Sequence, residues 1–147
     1  MDMEQKRKAN RISSELFRIA RLSVEAAELV LPVIQDKNLK AQVKRQREAY
    51  CSTAGRSAAI LRKCGLEPAE KQGLMDRVLR RSLQADTAWD KSAPRIAKIA
   101  IHCTGAAMKD LTKTMNRFGD EDTESRRLAE EYLEHGQKDI DLLKRYL

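Results

Sequence analysis

The chain has 147 residues, of which 41% are hydrophobic and 35% charged. This length and composition fit one domain, residues 1–147, with its own core, and they exclude a chain too polar to fold. No apolar run approaches the length of a membrane span, and the charged start MDMEQKRKANR is unlike a signal peptide. We therefore expect a cytoplasmic protein without membrane insertion, whose cysteines Cys51, Cys64 and Cys103 are reduced, small apolar residues.

The net charge of +7 is unevenly distributed. Residues 1–118 hold 24 Lys/Arg and 13 Asp/Glu, whereas residues 119–147 hold five Lys/Arg and nine Asp/Glu. Such asymmetry fits an anionic partner such as nucleic acid, and it fits equally an acidic last helix that lies beside basic neighbours. Aromatic residues make up only 4%, which argues against a platform for stacking single-stranded bases.

The first half of the chain predicts a helical hairpin. A helix is expected from about Glu4 to Gln35 because its apolar residues recur every 3.6 positions, and Pro32 should kink or end it. After a tight connection, a second helix is expected from about Asn38 to Lys63. Gly65 then suits a left-handed position that ends this helix, with Pro68 preventing its continuation.

The second half predicts three more helices and no strand. A shorter amphipathic helix is expected over about residues 69–91. Ser92 should cap the next helix, which is expected to run to about Arg117. The last helix is expected to begin between Asp120 and Thr123 and to reach Leu147.

Three segments are similar to bacterial ferritin-like domains of unassigned function. They are Lys37-Asn38-Leu39-Lys40-x-x-Val43, Leu61-x-x-Cys64-Gly65-Leu66-Glu67-Pro68 and Glu130-Glu131-Tyr132-Leu133-Glu134-His135. The resemblance implies an all-α, up-down-up-down four-helix bundle with the shorter helix as a crossover between the two hairpins.

Ferritin-like bundles often hold two iron or manganese ions on inward-pointing Glu residues and Glu-x-x-His pairs. This chain has no Glu-x-x-His. Its nearest matches are Glu48-x-x-Cys51 and Glu131-x-x-Glu134, which is followed by His135. At 100° per residue, Glu48, Glu131 and Glu134 point away from the apolar faces, and His135 lies at an edge. We therefore expect no metal site and no cofactor, with iron or manganese in a divergent site as the alternative.

Several polar residues are predicted to point into the bundle: Ser23, Gln46, Ser57, Thr104 and Asp139. A buried carboxylate is costly unless it is hydrogen-bonded or paired. We expect a buried polar pocket formed by Asp139, Gln46, Tyr50 and Tyr132. Two interpretations stay open, a structural hydrogen-bonded network and a remnant binding pocket at the bundle axis.

No spacing links the Ser, Cys and His residues into a catalytic group, and no phosphate-binding loop is present. The sequence therefore favours a non-enzymatic binding or scaffold protein. We expect a homo-oligomer, such as a dimer, or another protein partner, engaged through the helix with Met75 and Trp89. An equally good interpretation is that this helix caps the bundle and buries Trp89 in the same chain. The alternatives are a di-iron or di-manganese oxidoreductase or metal-storage protein and a nucleic-acid-associated protein. The basic residues for the latter are Lys6, Arg7, Lys8, Arg11, Lys40, Lys44, Arg45, Arg47, Arg77, Arg80 and Arg81.

Overall fold

The computed structural model describes residues 2–68, 81, 90–118 and 123–147. These residues form five α-helices and contain no strand, so the predicted all-α class is confirmed for them. The helices are α1 (Met3–Lys8), α2 (Arg11–Val30), α3 (Lys37–Lys63), α4 (Ala93–Arg117) and α5 (Thr123–Leu143). Short 3₁₀ turns follow α2 (Leu31–Val33) and α5 (Lys144–Tyr146). None of the described helices has the length and hydropathy needed to cross a membrane.

The helix predicted from about Glu4 to Gln35 is interrupted, because Ala9 and Asn10 are not helical and separate α1 from α2. Asn10 is buried, and its side-chain amide donates a 2.8 Å hydrogen bond to the Lys6 carbonyl. Its side-chain oxygen accepts from the thiol of Cys64, at 3.5 Å. Asn side chains compete in this way with helical backbone hydrogen bonds. The contact holds the N-terminal helix against the end of α3.

The hairpin of α2 and α3 follows the sequence closely. Pro32 lies in the 3₁₀ turn that ends α2, and the Asp36 carboxylate caps α3 by accepting from the backbone N–H of Leu39 at 2.9 Å. Gly65 has a φ of 75°, and its N–H donates to the Arg62 carbonyl. The N–H of Leu66 reaches back to the Leu61 carbonyl, and these paired bonds satisfy the last carbonyls of α3.

The second hairpin begins as predicted. The Ser92 hydroxyl accepts from the backbone N–H of Arg95 at 3.3 Å, and Pro94 occupies the first turn of α4. The predicted amphipathic helix over residues 69–91, with Met75 and Trp89, lies outside the described residues except at three positions. Arg81 is helical and exposed, and residues 90 and 91 are not helical. Residues 120–122, predicted to begin the last helix, also lie outside them.

The direction of each helix follows from its contacts. Arg18 of α2 pairs with Asp110 of α4 at 3.6 Å, whereas Val30, near the end of α2, packs in one cluster with Ile96 and Ala97 near the start of α4. These two helices are therefore antiparallel, and the tight connection makes α2 and α3 antiparallel as well. Consequently α3 and α4 run in the same direction.

Ion pairs between α3 and α5 complete the order. Arg56 pairs with Glu131 at 2.8 Å and Lys63 with Glu124 at 3.6 Å, so these helices are also antiparallel. The order is up, down, down, up, and the up-down-up-down order expected from the sequence is wrong. The reason is that Lys63 and Ala93 lie at opposite ends of the helices, whereas a short connection would have reversed the direction of the chain.

The core is made mostly of aliphatic residues, with a few aromatic ones, from all four long helices. One cluster joins the four helices around Leu16, Leu111 and Leu128. A second cluster surrounds Leu39 and Leu143 near the 3₁₀ turn after α2. Between them, at the middle of the helices, the interior becomes polar, and this region positions the candidate site.

Candidate functional site

The residues considered as metal ligands are not brought together. Glu48, Cys51, Glu134 and His135 are exposed, and Glu131 is half-exposed at the surface between α3 and α5. In the part of the chain that the structure describes, no group of three or more His, Cys, Asp or Glu residues could hold a metal ion. The residues present therefore do not fit the carboxylate and imidazole set that a di-metal centre needs.

Glu131 has a different role. It accepts a 2.8 Å hydrogen bond from the Arg56 guanidinium, and this bond holds the pKa of the Glu131 carboxyl below its usual range. Together with the pair of Lys63 and Glu124, it places the acidic last helix beside the basic α3. At this surface, acidic residues of the last helix are therefore paired with basic residues of the same chain, which is one of the two interpretations of the charge asymmetry.

A cavity, here called the interior cleft, lies between α2, α3 and α4 and has a volume of about 50 Å³. A single water needs about 10–15 Å³ measured in this way, so the cleft has room for a few waters or part of a small molecule. Its lining changes character along the helix axes. At the middle of the helices it is polar, with Ser23, Gln46, Tyr50, Cys103 and Thr104.

Toward the Pro32 end of the helices, the lining of the interior cleft is apolar: Ala26, Ala27, Val30, Val43, Ile96, Ile99 and Ala100. Because α3 and α4 both run opposite to α2, the polar residues of the three helices fall at one axial level and the apolar residues at another. The described lining residues include no Asp, Glu, His, Lys or Arg, and their only ionisable groups are the Tyr50 phenol and the Cys103 thiol.

Gln46 is the polar lining residue with an unmet hydrogen bond. Its side chain is 6% exposed, and its amide nitrogen has no hydrogen-bond partner in the structure. Gln42, one turn earlier on α3, is also buried with an unpaired amide nitrogen, but it does not line the cleft. Buried donors without partners are rare because each forfeits its hydrogen bonds to water.

Tyr50, which lines the polar part of the interior cleft, packs against Tyr132 with ring centroids 6.2 Å apart. Burial raises the pKa of both phenols, that of Tyr132 to about 12, so both are protonated at neutral pH. The buried Tyr132 hydroxyl makes no hydrogen bond of standard geometry with a described residue, although the Ser23 hydroxyl is close enough to interact with it weakly. The neighbouring Ser23 hydroxyl, which partly offsets the rise in the pKa of Tyr132, donates to the Ile19 carbonyl at 2.7 Å.

A second cavity, the Asp139 pocket, has a volume of about 100 Å³ and lies between α3 and α5. Asp139 and Tyr132 line it with Arg56 and His135, and Tyr50 lines it as well as the interior cleft. Burial raises the pKa of the half-buried Asp139 carboxyl to about 6, which the nearby His135 partly opposes.

The structure divides the polar pocket that the sequence predicted. Tyr50, Tyr132 and Asp139 share the Asp139 pocket, whereas Gln46 lines only the interior cleft. The causes of the shifted pKa of Asp139 are burial and His135, and no arginine is among them. The expected bond from Asp139 to Gln46, Tyr50 or a buried Arg is therefore not seen among the described residues. Sequence periodicity places a residue on a helix face, but it does not say which of two adjacent cavities that face meets.

The basic residues considered for nucleic acid lie on several faces. Lys6, Arg7, Lys8 and Arg11 belong to the N-terminal segment, Lys40, Lys44, Arg45 and Arg47 belong to α3, and Arg77 and Arg80 lie outside the described residues. Arg47 is occupied by a 2.6 Å ion pair with Glu28.

Sequence reasoning did not identify the buried pair Ser13 and Ser125 or the buried Gln42. Ser13 and Ser125 are fully buried and hydrogen-bonded to each other, and Gln42 is buried with an unpaired amide. Ser13 directly follows the apolar Ile12, and Gln42 directly precedes Val43, so both lie at the edge of an apolar stripe. That proximity was the only available signal.

Fold and cavities together define an all-α protein with a partly polar interior cleft and outward-facing carboxylates. Comparisons with known proteins add no relative, because no family model, no curated protein and no solved structure matches this chain.

Proposed function

We propose that this chain is a non-enzymatic binding protein, built as a ferritin-like bundle, that holds a small molecule in the interior cleft instead of two metal ions. The observation that carries the proposal is the chemistry at the middle of the helices. Where a di-metal bundle needs carboxylates and imidazoles, this chain has the neutral Ser23, Gln46, Tyr50 and Thr104.

The order of helix directions supports the ferritin-like part of the proposal. Ferritin-like bundles differ from simple up-down bundles by one long crossover connection. Here α3 and α4 run in the same direction, and residues 64–92 connect them. The same arrangement brings the polar residues of α2, α3 and α4 to one axial level, which an interior binding site requires.

The nature of the cavity supports binding of a small molecule. Small-molecule sites are mostly apolar concavities with a few placed polar groups, and the interior cleft has that composition. No described group combines a nucleophile with a base or a third orienting residue, which would favour catalysis. The candidate metal ligands Glu48, Cys51 and Glu134 are exposed and do not line the cleft.

Two measurements on the full chain test this function. Xenon, a probe of apolar cavities, should produce a saturable shift in ¹²⁹Xe NMR that Ala100→Leu abolishes by filling the apolar half of the cleft. Protein purified and then incubated with Fe(II) or Mn(II) should retain less than stoichiometric metal after desalting. About two retained ions per chain, which is the content of a di-metal site, would contradict the proposal, as would the absence of a saturable xenon shift.

A further inference from the structure

We infer that the interior cleft recognises a short, unbranched, uncharged molecule with a hydrogen-bonding oxygen at one end, such as a medium-chain alcohol, aldehyde or amide. This inference rests on the proposed function and adds the chemical class of the ligand. Three features of the cleft carry it: the axial separation of polar and apolar lining, its length and the charge of its surroundings.

The axial separation sets the orientation of the ligand. On α2, Ser23 lies at the polar end and Val30 at the apolar end. On α4, Thr104 and Ile96 occupy the corresponding levels, because the helices are antiparallel. A molecule with its oxygen at the middle of the helices and its chain toward Pro32 therefore matches the lining at both ends.

The length of the cleft limits the ligand. Ser23 and Val30 are seven residues apart, which corresponds to about 10 Å along α2 at 1.5 Å per residue, close to an extended chain of about six carbons. The volume of about 50 Å³ encloses only part of such a chain, so the remainder would lie against the partly exposed Ala26 and Ala100. Ala26, Ala27 and Ala100 line the apolar part. Their small side chains leave space beside the helices for an alkyl chain, whose burial supplies the affinity.

Gln46 supplies the polar recognition. Its buried amide nitrogen has a free N–H donor capacity at the polar end of the cleft, where the structure gives it no partner. An alcohol or carbonyl oxygen would accept this hydrogen bond and remove the cost of the unpaired donor. The Tyr50 phenol, which stays protonated at neutral pH because burial raises its pKa, lies at the same level.

The electrostatics favour a neutral head group. No Lys, Arg or His is among the described residues that line the interior cleft, so a buried carboxylate would find no opposite charge among them. The charge of Asp139 contributes to the raised pKa of both Tyr50 and Tyr132, and this carboxyl is negatively charged above its own pKa of about 6. Its field disfavours an anion further, so a fatty acid is expected to bind more weakly than the alcohol of the same length.

Calorimetric titration with 1-hexanol, and with hexanoate at pH 8, tests the inference on the full chain. We expect 1-hexanol to bind at least tenfold more tightly than hexanoate. Gln46→Met keeps the length of the side chain and removes the donor, and it should weaken 1-hexanol binding by about fivefold, the effect of one hydrogen bond. Gln42→Met is the matched control, because Gln42 is buried and unpaired but does not line the cleft, and it should leave the affinity unchanged.

The outcomes separate this inference from the proposed function. Xenon binding without preference for 1-hexanol over hexanoate would overturn the ligand class and leave the binding cavity intact. Equal weakening by Gln46→Met and Gln42→Met would also overturn it, because a general loss of structure would then explain the change. If Gln46→Met does not fold, as judged by circular dichroism, the comparison of 1-hexanol with hexanoate on the unmodified chain decides alone. If the unmodified chain binds neither xenon nor 1-hexanol, the proposed function itself is contradicted.

Discussion

Tyr50 and Tyr132 pack with their ring centroids 6.2 Å apart and their planes tilted by 42°. Tilted aromatic pairs at this distance are favourable beyond the area that they bury. Tyr50 lines both cavities, so this pair joins the interior cleft on one side of the bundle to the Asp139 pocket on the other. A change in either cavity therefore acts on the same aromatic contact.

The first prediction concerns the Tyr132 hydroxyl. It is buried and makes no hydrogen bond of standard geometry, so Tyr132→Phe removes a cost of desolvation and loses at most a weak interaction with Ser23. We expect the free energy of unfolding to stay within about 0.5 kcal/mol of the parent value or to rise by up to about 1 kcal/mol. Urea denaturation measures it. A loss above about 1.5 kcal/mol, the size of a broken hydrogen bond, would contradict the absence of a partner.

The second prediction concerns Ser13 and Ser125, whose buried hydroxyls lie 2.5 Å apart and join α2 to α5. Either Ser→Ala change alone leaves a buried hydroxyl unpaired and should cost about 1–2 kcal/mol. The double change removes both groups, so it should cost less than the sum of the two single changes. A double-mutant cycle measured in urea gives the coupling, and strictly additive costs would show that the two hydroxyls do not interact.

The third prediction is a pH dependence at Asp139. Its pKa is raised from the ordinary 3.8 to about 6 in the folded chain, so between these values the folded state binds more protons than the unfolded state. The free energy of unfolding contributed by Asp139 therefore falls as the pH rises through this window, and the full cost is present above about pH 6. Because the carboxyl is only half-buried, water reduces this cost to on the order of 1 kcal/mol.

Asp139→Asn removes the titration. The variant should have a stability close to that of the parent near pH 4.5 and should exceed it by on the order of 1 kcal/mol at pH 7.5. Thermal unfolding across this range measures the difference. Asp141→Asn, an exposed position on the same helix, controls for the loss of one negative charge. A gain that is equally large at pH 4.5 would rule out burial of the Asp139 carboxylate as its cause.

The helices themselves could be predicted from the sequence because their signals are local. Ser92, Asp36 and Gly65 each end or begin a helix through bonds to residues within four positions in the chain. The break at Asn10 was missed because it depends on Cys64, which is 54 positions away. Local pattern cannot reveal a side chain that is held by a distant element.

The candidate site was predictable only in part for the same reason. Periodicity placed Gln46, Tyr50 and Thr104 on inner faces, and all three are buried. It also placed Glu48 and Glu134 outside, where both are exposed. The order of helix directions and the division of the polar residues between two cavities depend on how the helices pack against one another. That packing is a tertiary property, which no residue in a single helix specifies.

The last prediction compares two helical glycines. At Gly55 of α3, an added Cβ would meet no atom within 4 Å, so Gly55→Ala should stabilise the chain by about 0.5–1 kcal/mol through helix propensity. At the buried Gly136 of α5, the added Cβ would lie 2.8 Å from the Met108 sulfur of α4. The partly exposed Met108 side chain must shift, at a cost of about 0.5–1.5 kcal/mol for a displaced rotamer, which offsets the gain in propensity.

Urea denaturation should therefore show Gly136→Ala to be less stable than Gly55→Ala by about 0.5–1.5 kcal/mol, the cost of displacing the Met108 rotamer. Met108→Ala removes the atoms that the new methyl group would meet. In that background Gly136→Ala should cost nothing and should show the same gain as Gly55→Ala, because only the helix propensity then remains. If Gly136→Ala stabilises the parent chain as much as Gly55→Ala does, the close approach of α4 and α5 at this level is wrong.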